Sequence, residues 1–509
     1  MGRVTDRSPS PHLEPLLSAE GQALLAELRD HDPAHELTLA TRLRREYPAE
    51  LVSAALAQAR LRQRGVAKFG AADAYRMYFT PNGVEQATRS TVAAYRAARF
   101  RAIAPTPPGP ASGPHSGPHS GQGSGKGSGP DAARDARPAV SVTDLCCGIG
   151  GDAIELARAG FAVSAVDLDP LTCEIALTNV RTLAPDSPPM TVTCADVREY
   201  DLERGAEDEA TGPRALFIDP ARRGGRGRIF DPEAYSPPLS WAIDAVRRAG
   251  LGAVKIAPGI PHELIPDDFE AEWISDGGDV KEAVLWHDGG RDRDEDEDGD
   301  EDRDGDRDGD RDEDRDEDRD GDGDEVEYQD RTETSRDGLL NDSRNGLRNG
   351  FRNPENAVVP GTRRATLLPS AATLAGRGLP DPPVRRTGRF LYEPDGAVIR
   401  AHLVAEVAEE LAGGLIDETI AYITADELRP TPYATAYEIT DELPFNLKKL
   451  KALLREREVG VLTVKKRGSA VEPEELRRRV KLKGPNAATV FLTRVAGAPT
   501  MLIGRPATV

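Results

Sequence analysis

Five short apolar segments alternate with amphipathic segments between residues 139 and 287, and few folds accommodate this alternation. Buried strands separated by helices predict a parallel sheet with helices on both faces. We therefore expect an α/β fold built on a doubly wound, Rossmann-like sheet in this part of the chain. The predicted strands are 140–145, 161–166, 190–194, 215–218 and 252–256.

A glycine-rich turn follows the first predicted strand, in the sequence Asp144-Leu-Cys-Cys-Gly148-Ile-Gly150. Glycines at such a turn let a ligand approach the backbone and the N–H groups that begin the next helix. The turn also satisfies the degenerate dinucleotide pattern, with Ala153 at its third small position and Asp167 about twenty residues after the turn. A nicotinamide cofactor is therefore one hypothesis for this site.

Acidic residues end four consecutive predicted strands: Asp144, Asp167, Asp196 and Asp219, at intervals of 23, 29 and 23 residues. Each interval is close to one strand–helix unit. Ligands of open parallel sheets bind outside the carboxyl ends of the strands, so the four acids are expected to face one crevice. Asp144 stands where dinucleotide folds usually carry an apolar strand residue. The pattern therefore disfavours the nicotinamide hypothesis.

The segments DLCCGIGGDA, AVDLDP, CADV and FIDPARR resemble motifs I to IV of class I S-adenosylmethionine-dependent methyltransferases, in particular the branch that modifies nucleic acids. The resemblance implies that S-adenosylmethionine is the cofactor and that the loop 146–151, with Cys146, Gly148 and Gly150, cradles its methionine end together with Asp144. It also implies that Asp167 holds the ribose hydroxyls and Asp196 the adenine amine. Cys146 stands where many members of the family have glycine.

Asp219 belongs to the fourth motif, where related enzymes hold the methyl acceptor. A carboxylate there can accept a hydrogen bond from an exocyclic amine or from guanine N1–H. Enzymes directed at amines usually continue with proline and an aromatic residue, whereas Ala221, Arg222 and Arg223 follow Pro220 here. The aromatic that would stack on a base is missing. We expect Arg222 or Arg223 either to contact a base or phosphate, or to form an internal ion pair.

The four cysteines argue against two other chemistries. Methylation at pyrimidine C5 needs a thiolate beside the target, and none of Cys146, Cys147, Cys173 and Cys194 follows the fourth motif. Their spacing matches no zinc site and no disulfide framework, so we expect no metal. Neither a signal peptide nor an apolar run of the roughly 20 residues that cross a bilayer is visible. We expect a cytoplasmic protein that does not enter a membrane.

The charge of the chain is strongly polarised. The net charge is −21, of which residues 291–327 contribute 24 acidic side chains and 7 arginines. This acidic insertion, at 288–362, and a Pro/Gly/Ser-rich linker, at 104–138, have little to bury and are expected to be disordered. A solubilising insertion is favoured over an acidic mimic that competes with nucleic acid.

The first 103 residues carry helical patterns, among which Thr80 and Pro81 have the form of an N-cap followed by proline at the first helical position. The predicted helix carries Arg89, Arg96 and Arg99. A solvated basic face is favoured over a face that touches nucleic acid.

The last 62 residues hold 15 basic and 5 acidic side chains. They resemble the THUMP-like domain attached to methyltransferases of high-GC Gram-positive bacteria, and THUMP domains present RNA to the enzymes they are attached to. The implied partner is structured RNA, with a solubilising face or a dock for the acidic insertion as alternatives. The candidate RNA-binding residues are Lys465, Lys466, Arg467, Arg477, Arg478, Arg479, Lys481 and Lys483.

These features predict a helical N-terminal unit (1–103), the linker, a methyltransferase core (139–287), the acidic insertion, a return of the same sheet (363–386), a connecting segment (387–442) and a small α/β THUMP-like domain (443–509). In the returning part, 281–286 and 365–368 are expected to pair antiparallel. The predicted function is methylation of a base nitrogen in tRNA or rRNA. The alternatives are a protein or small-molecule methyltransferase, and a non-catalytic RNA-binding module that keeps a vestigial cofactor fold.

Overall fold

The structure is a computed structural model that describes residues 2–3, 13–104, 141–188, 190–202, 214–224, 227–228, 231–289, 357–480 and 482–507. The predictions for residues 105–138, for most of the acidic insertion and for Lys481 lie outside these residues. No helix in the described part of the chain is long and apolar enough to cross a membrane.

Helices make up the N-terminal part of the chain, before the strands of the parallel sheet. They are α1 (Glu14–Leu17), α2 (Ala19–Glu27), α3 (Glu36–Leu43), α4 (Ala49–Ala74, kinked at Gly70), α5 (Pro81–Gln86) and α6 (Ser90–Ile103). The predicted cap is confirmed, since the Gly83 amide donates to Thr80 Oγ1 at 2.9 Å. The single helix expected after Thr80 is instead α5 and α6, separated by extended backbone at Ala87 and Arg89. This break leaves Thr88 outside both helices.

A ten-stranded sheet forms the centre of the molecule, in the order β1-β4-β3-β2-β5-β8-β10-β9-β11-β12. Strands β2 to β5 and β8 are parallel, as predicted. The strands are β1 (Gly2–Arg3), β2 (Ser141–Leu145), β3 (Ala162–Asp167), β4 (Thr191–Cys194), β5 (Arg214–Ile218), β8 (Gly252–Ile256), β9 (Glu270–Asp276), β10 (Asp279–His287), β11 (Arg363–Leu368) and β12 (Ala372–Ala375), with the small hairpin β6 (Arg223–Gly224) and β7 (Gly227–Arg228) beside them.

Helices cover both faces of this sheet, which is why its central strands β2, β5 and β8 are almost entirely buried. Phe217 of β5 packs in one core with α6, α7 (Gly151–Arg158) and α8 (Pro170–Leu183). Its neighbours Leu216 and Ile218 pack in a second core with α9 (Leu239–Ala249). The strand order reverses between β2 and β5, and ligands of such sheets bind at this reversal.

The pairing predicted for the returning strand is wrong. β11 pairs with β9 in parallel, Ala365 lying opposite Trp273, while β10 pairs with β8 and β9. The reason is the tight turn at Gly277 and Gly278, both with positive φ, which makes β9 and β10 a hairpin and leaves the outer edge of β9 for β11.

A seven-stranded sheet follows, in the order β14-β15-β13-β16-β19-β18-β17. The segment 387–442, expected to connect two domains, supplies four of its strands. Leu391 of β13 and Phe491 of β18 are fully buried in one core, so this segment is part of the C-terminal domain. The elements are β13 (Phe390–Pro394), α10 (Gly396–Arg400), α11 (Val404–Glu410), β14 (Gly414–Asp417), β15 (Ile420–Ala425), β16 (Ala434–Pro444), α12 (Leu447–Glu456), β17 (Val459–Lys466), α13 (Pro473–Val480), β18 (Asn486–Val495) and β19 (Ala498–Pro506).

Candidate active site

The glycine-rich turn joins β2 to α7. Gly148 and Gly150 have φ values of 56° and 83°, in the left-handed region that side chains disfavour. A Cβ at Gly150 would meet the Ala176 Cα of α8 at 3.2 Å, whereas the space beside Gly148 is open. Gly150 therefore lets α8 approach the turn, and Gly148 keeps the turn bare on its open side.

The turn forms one wall of a cleft of about 400 Å³ at the carboxyl ends of β2, β3 and β5. We call it the aspartate cleft, after Asp144, Asp167 and Asp219, which line it. Of the other predicted site residues, Cys146, Gly148 and Arg222 also line it. Gly150 lies behind the turn, against α8, and is not among the lining residues.

Asp144 is the most unusual group in the cleft. Its side chain is buried, with 1% of the residue exposed, and neither carboxylate oxygen has a hydrogen-bond partner among the described residues. Burial raises the pKa of Asp144 well above its ordinary value, and the carboxylates of Asp152 and Asp219 raise it further. A buried carboxyl without a donor is costly unless a cation or donor reaches it. The site is therefore suited to a positively charged group.

Asp167, at the end of β3, is tied to the glycine turn. Its Oδ2 accepts a hydrogen bond from the Gly148 amide at 2.9 Å, and its Oδ1 accepts one from the Asp169 amide at 3.1 Å. Burial raises the pKa of Asp167, although these backbone donors oppose the rise. Asp169 serves the helix instead, since its side chain caps α8 through the Thr172 amide at 2.7 Å.

Asp196 does not join the other three acids. It is not among the residues that line the aspartate cleft, and its carboxylate pairs with Arg198 at 2.6 Å. The Arg198 side chain lowers the pKa of Asp196. The expectation that all four acids face one crevice is thus wrong for Asp196. It follows β4, which β3 and β2 separate from the reversal point of the sheet.

Asp219, directly after β5, forms an ion pair that the sequence did not reveal. Lys255 of β8 donates to Asp219 Oδ2 at 2.6 Å and to Thr88 Oγ1 at 2.7 Å. Lys255 is 3% exposed, so the pair forms in a largely dry environment. Lys255 thus fixes one oxygen of Asp219 and connects it to the N-terminal helices.

Arg222 lines the cleft without pairing to Asp219. Its Nη1 is buried and has no hydrogen-bond partner in the part of the chain that the structure describes. Among the described residues, Arg222 therefore does not form the internal ion pair with Asp219 that was one of the two hypotheses. Lys255 forms that pair instead. The side chain of Arg223 lies outside the described part of the structure.

Arg96 and Arg99 of α6 are buried, so both interpretations of them as surface groups are wrong, whereas Arg89, just before the helix, is partly exposed. Arg96 pairs with Asp152, at the start of α7, and with Glu282 of β10. Burial would raise the pKa of Asp152, but Arg96 and Lys255 hold it below its ordinary value. The N-terminal helices therefore supply the cation that neutralises the floor of the aspartate cleft.

Arg99 makes a second buried cluster one turn further along α6. It pairs with Glu270 and Glu272 of β9, and its guanidinium lies 4.5 Å from the ring centroid of Trp286. The available sequence signal was the glutamates in the apolar strands EAEWISD and KEAVLW, which require cationic partners when a sheet is covered on both faces.

The segment between α4 and α6 closes the cleft from the N-terminal side. Thr80, Gly83 and Thr88 all line it, and a Cβ on Gly83 would meet Ile149 of the glycine turn at 2.4 Å. Lys68 holds this segment by donating to the Ala87 carbonyl at 2.7 Å. The predicted helical unit is therefore part of the site.

The described cysteines are all free, and burial raises the pKa values of the Cys146 and Cys147 thiols well above their ordinary value. Such thiols are poor nucleophiles. Among the described residues no cluster of His, Cys, Asp and Glu is placed to hold a metal ion.

Four of the seven described candidate RNA-binding side chains form ion pairs within the C-terminal domain. Lys465 pairs with Glu393, Lys466 with Glu472, Arg477 with Glu474 and Arg479 with Glu475. Arg478 donates to the Glu474 carbonyl at 3.4 Å, and Lys483 is exposed. Arg467 differs from these, because its guanidinium lies 5.2 Å from the Tyr422 ring centroid.

Comparisons with known proteins follow the same division of the chain. The family model described as THUMP domain-like matches residues 434–506, and a domain of unknown function, DUF8688, matches residues 11–65. The THUMP-like prediction for the C-terminal domain is confirmed.

Two proteins of Mycobacterium tuberculosis, from strains H37Rv and CDC 1551, are 27% identical to this chain over 357 residues. The alignments cover 70% of this chain and 77% of each relative. Both relatives are described as uncharacterized S-adenosylmethionine-dependent methyltransferases.

The crystal structure of a candidate methyltransferase from Porphyromonas gingivalis W83 has the same fold. Its TM-score is 0.63 at 17% identity, with 96% of this chain and 98% of that chain covered. The predicted fold class, a doubly wound sheet with a helical N-terminal unit and a C-terminal α/β domain, is confirmed.

Proposed function

We propose that this chain, a class I S-adenosylmethionine-dependent methyltransferase with a C-terminal THUMP-like domain, methylates a base nitrogen in a structured RNA such as tRNA or rRNA in the cytoplasm. The observation that carries the proposal is the aspartate cleft itself. There the unpaired carboxyl of Asp144 and the Lys255-bound carboxylate of Asp219 line one cavity, in a chain that also carries a THUMP-like domain.

The part of the cleft formed by Asp144, Gly148 and Asp167 fits S-adenosylmethionine. Asp144 offers an unpaired carboxyl to the ammonium group, the bare side of Gly148 leaves room beside the backbone, and Asp167 offers its carboxylate to the ribose hydroxyls. When bound, S-adenosylmethionine supplies a methyl group activated by its positively charged sulfur. Asp196 pairs with Arg198, so an adenine contact by Asp196 would need this surface pair to open.

Asp219 is the acceptor residue of this proposal. Lys255 occupies Oδ2 and keeps the carboxylate in place, so Oδ1 can accept a hydrogen bond from an exocyclic N–H of a base. Transfer would join the base nitrogen to the methyl carbon while the methyl–sulfur bond breaks, with S-adenosylhomocysteine as the leaving group, and the proton lost by that nitrogen would pass to the Asp219 carboxylate and then to water. Placing the nitrogen in line with the methyl group is the main contribution of the protein.

Arg222 replaces the missing aromatic. A planar guanidinium can stack on a base or bind phosphate, and Nη1 of Arg222 has no partner at the wall of the cleft. We assign Arg222 to hold the flipped base or its phosphate next to Asp219. Enzymes that act on a base must take it out of its stack, and a cavity of this kind accommodates it.

The proposal is tested by methyl transfer from radiolabelled S-adenosylmethionine to separated RNA, protein and small-molecule fractions of a lysate, with Asp219→Asn as the matched variant. We expect label in RNA with the wild type and at least about a hundredfold less with the variant, as typical losses of a positioned acid–base group are 10²- to 10⁴-fold. Label in protein or small molecules alone would support the rival acceptors. Cofactor binding without any transfer would support a vestigial fold.

A further inference from the structure

A second cleft, of about 500 Å³, lies between the loop after β8 and the C-terminal domain. We call it the histidine cleft, after His262 and His402; Arg400 and Arg467 also line it. None of its described lining residues is acidic, in contrast to the aspartate cleft. Its size falls within the range of small-ligand sites, roughly 300–1,000 Å³.

Three aromatic rings form a stack that ends at this cleft. The His262 ring lies 4.9 Å from the Trp273 ring at 14°, and 3.8 Å from the His402 ring at 13°. Trp273 is buried and His402 is exposed, so the stack runs from the sheet to the surface. Burial lowers the pKa of both histidines, and neutral imidazoles present flat faces rather than charges at neutral pH.

The stack is held rigidly. His262 Nε2 donates to the Arg400 carbonyl at 2.8 Å, while Trp273 Nε1 and Arg400 Nη1 both donate to the Pro258 carbonyl, at 3.0 and 3.2 Å. The loop after β8, the sheet and α10 are thus fixed to each other. A preorganised stacking surface loses little entropy when a ligand binds.

Two cations complete the cleft. Among the described residues, neither Arg400 nor Arg467 forms an ion pair with a carboxylate, whereas Lys465, Lys466, Arg477 and Arg479 all do. Guanidinium groups without carboxylate partners beside an aromatic face are the combination that binds a nucleotide, by stacking on the base and pairing with the phosphate.

The two clefts adjoin the end of β8 and the loop that follows it. Lys255, at the end of β8, lines the aspartate cleft, and Pro258, three residues later, lines the histidine cleft. An extended chain advances about 3.3 Å per residue, so the two lining points are on the order of 10 Å apart. An RNA strand that inserts one base into the aspartate cleft can therefore reach the histidine cleft with a neighbouring nucleotide.

We propose that the histidine cleft binds one unpaired nucleotide of the RNA substrate, with its base stacked on His402 and its phosphate held by Arg400 and Arg467. This inference rests on the proposed RNA methyltransferase function and adds to it the point where the strand is held beside the methylated base. Loops and bulges of folded RNA offer such unstacked nucleotides.

The test measures binding of a fluorescein-labelled oligouridylate to the full chain by fluorescence anisotropy over a series of salt concentrations. His402→Asn removes the ring at a residue whose φ of 59° asparagine tolerates well, and His402→Tyr keeps an aromatic face. We expect His402→Asn to bind about tenfold more weakly and His402→Tyr to bind as the wild type does, as stacking on an aromatic side chain contributes about tenfold or more per base.

Arg467→Gln is expected to reduce the slope of log affinity against log salt by about 0.7, the value for one lost phosphate contact with a single strand. Arg505→Gln is the matched control, since Arg505 is exposed, pairs with Glu438 and lies outside both clefts. It should leave the slope unchanged. S-adenosylmethionine binding, measured by calorimetry, should be unchanged in all four variants.

Two failures are distinguishable. Wild-type affinity and slope in both His402→Asn and Arg467→Gln would overturn the histidine cleft and leave RNA methylation standing. A wild type that binds S-adenosylmethionine but no RNA would overturn the proposed function as well. Displacement of the oligonucleotide by uridine monophosphate at equal concentration would assign the cleft to a free nucleotide and also overturn the inference.

Discussion

The aspartate cleft and the histidine cleft adjoin the end of β8 and the loop that follows it, and their linings differ in charge: acidic and basic side chains both line the first, whereas among the described residues basic but no acidic side chains line the second. The first concentrates carboxylates at the reversal point of the sheet and leaves one of them, Asp144, without a partner. The second contains an exposed imidazole and two arginines that have no carboxylate partner in the described part of the chain. The difference fits the two proposed ligands, a cationic cofactor in the first cleft and a nucleotide in the second.

The two clefts also differ in how their charge is balanced. The N-terminal helices contribute Arg96 to the aspartate cleft, where Asp152 and Glu282 are its partners. On the surface of the THUMP-like domain, Lys466, Arg477 and Arg479 pair with glutamates of the same domain. Net charge counted along the sequence therefore misleads in both regions, since the geometry decides which charges remain unpaired.

The variant expected to have the largest effect on the difference between the two clefts removes the unpaired carboxyl of Asp144. Asp144→Asn is expected to weaken S-adenosylmethionine binding at least about thirtyfold, because losing one partner of a buried charge pair costs about 2 kcal/mol or more. Without cofactor, its melting temperature should stay at or above that of the wild type, since Asp144 has no protein donor to lose. Calorimetric titration and thermal unfolding measure both.

Asp169→Asn is the matched control for that variant. Asp169 caps α8 and does not line the cleft, so cofactor affinity should change less than about threefold, as expected for a cap that contributes roughly 1 kcal/mol to stability. Equal losses in Asp144→Asn and Asp169→Asn would mean that Asp144 acts only through the fold.

Removing the buried cation of α6 should unfold the molecule more readily. Arg96→Leu leaves Asp152 and Glu282 buried without their partner, and we expect a loss of about 3–5 kcal/mol in the free energy of unfolding. Arg42→Leu, which breaks an exposed pair with Glu27, should cost about 1 kcal/mol or less. Urea unfolding followed by tryptophan fluorescence compares them, and similar losses would contradict a buried network.

The dependence of cofactor binding on pH examines the same carboxyl without changing the fold. The pKa of Asp144 is raised by burial, then by Asp152 and Asp219, so below that pKa the free protein carries a proton that a cationic ligand must displace. Affinity should therefore rise with pH, by up to about tenfold per unit, and level off above the pKa. The profile of Asp144→Asn should be flatter. Calorimetry in buffers of different ionisation enthalpy would detect the released proton, and its absence would contradict the assignment.

The smallest effect is expected on the surface of the THUMP-like domain. Arg479→Gln removes a side chain that already pairs with Glu475, so RNA affinity should fall less than about twofold, in line with weak exposed pairs. Anisotropy with the oligouridylate measures it beside Arg467→Gln. A tenfold loss in Arg479→Gln would move the RNA contact from the histidine cleft to α13.

The sheet and the glycine turn could be predicted because their signals are local. Apolar runs of four to six residues mark β2, β3, β5 and β8, and the turn carries its conformation in Gly148 and Gly150. Strand order then follows from the rules for parallel sheets, which place Asp144, Asp167 and Asp219 at one edge.

The rest depends on contacts between distant residues. Arg96 meets Glu282, and Lys255 meets Thr88, across more than 160 residues of chain. No local pattern specifies such partners. The segment 387–442 was predicted to connect two domains. That prediction was wrong because the sheet that its strands form is completed only by β18 and β19 at the end of the chain. The stack of Trp273, His262 and His402 likewise joins three separate elements.

The most direct test of the account is nucleoside mass spectrometry of tRNA and rRNA from a strain that lacks this gene, complemented with the wild type or with Asp144→Asn. We predict that one base-methylated nucleoside disappears on deletion, returns with the wild type and does not return with Asp144→Asn. An unchanged set of methylated nucleosides in the deletion strain, together with transfer of label to protein or to a small molecule in vitro, would contradict it.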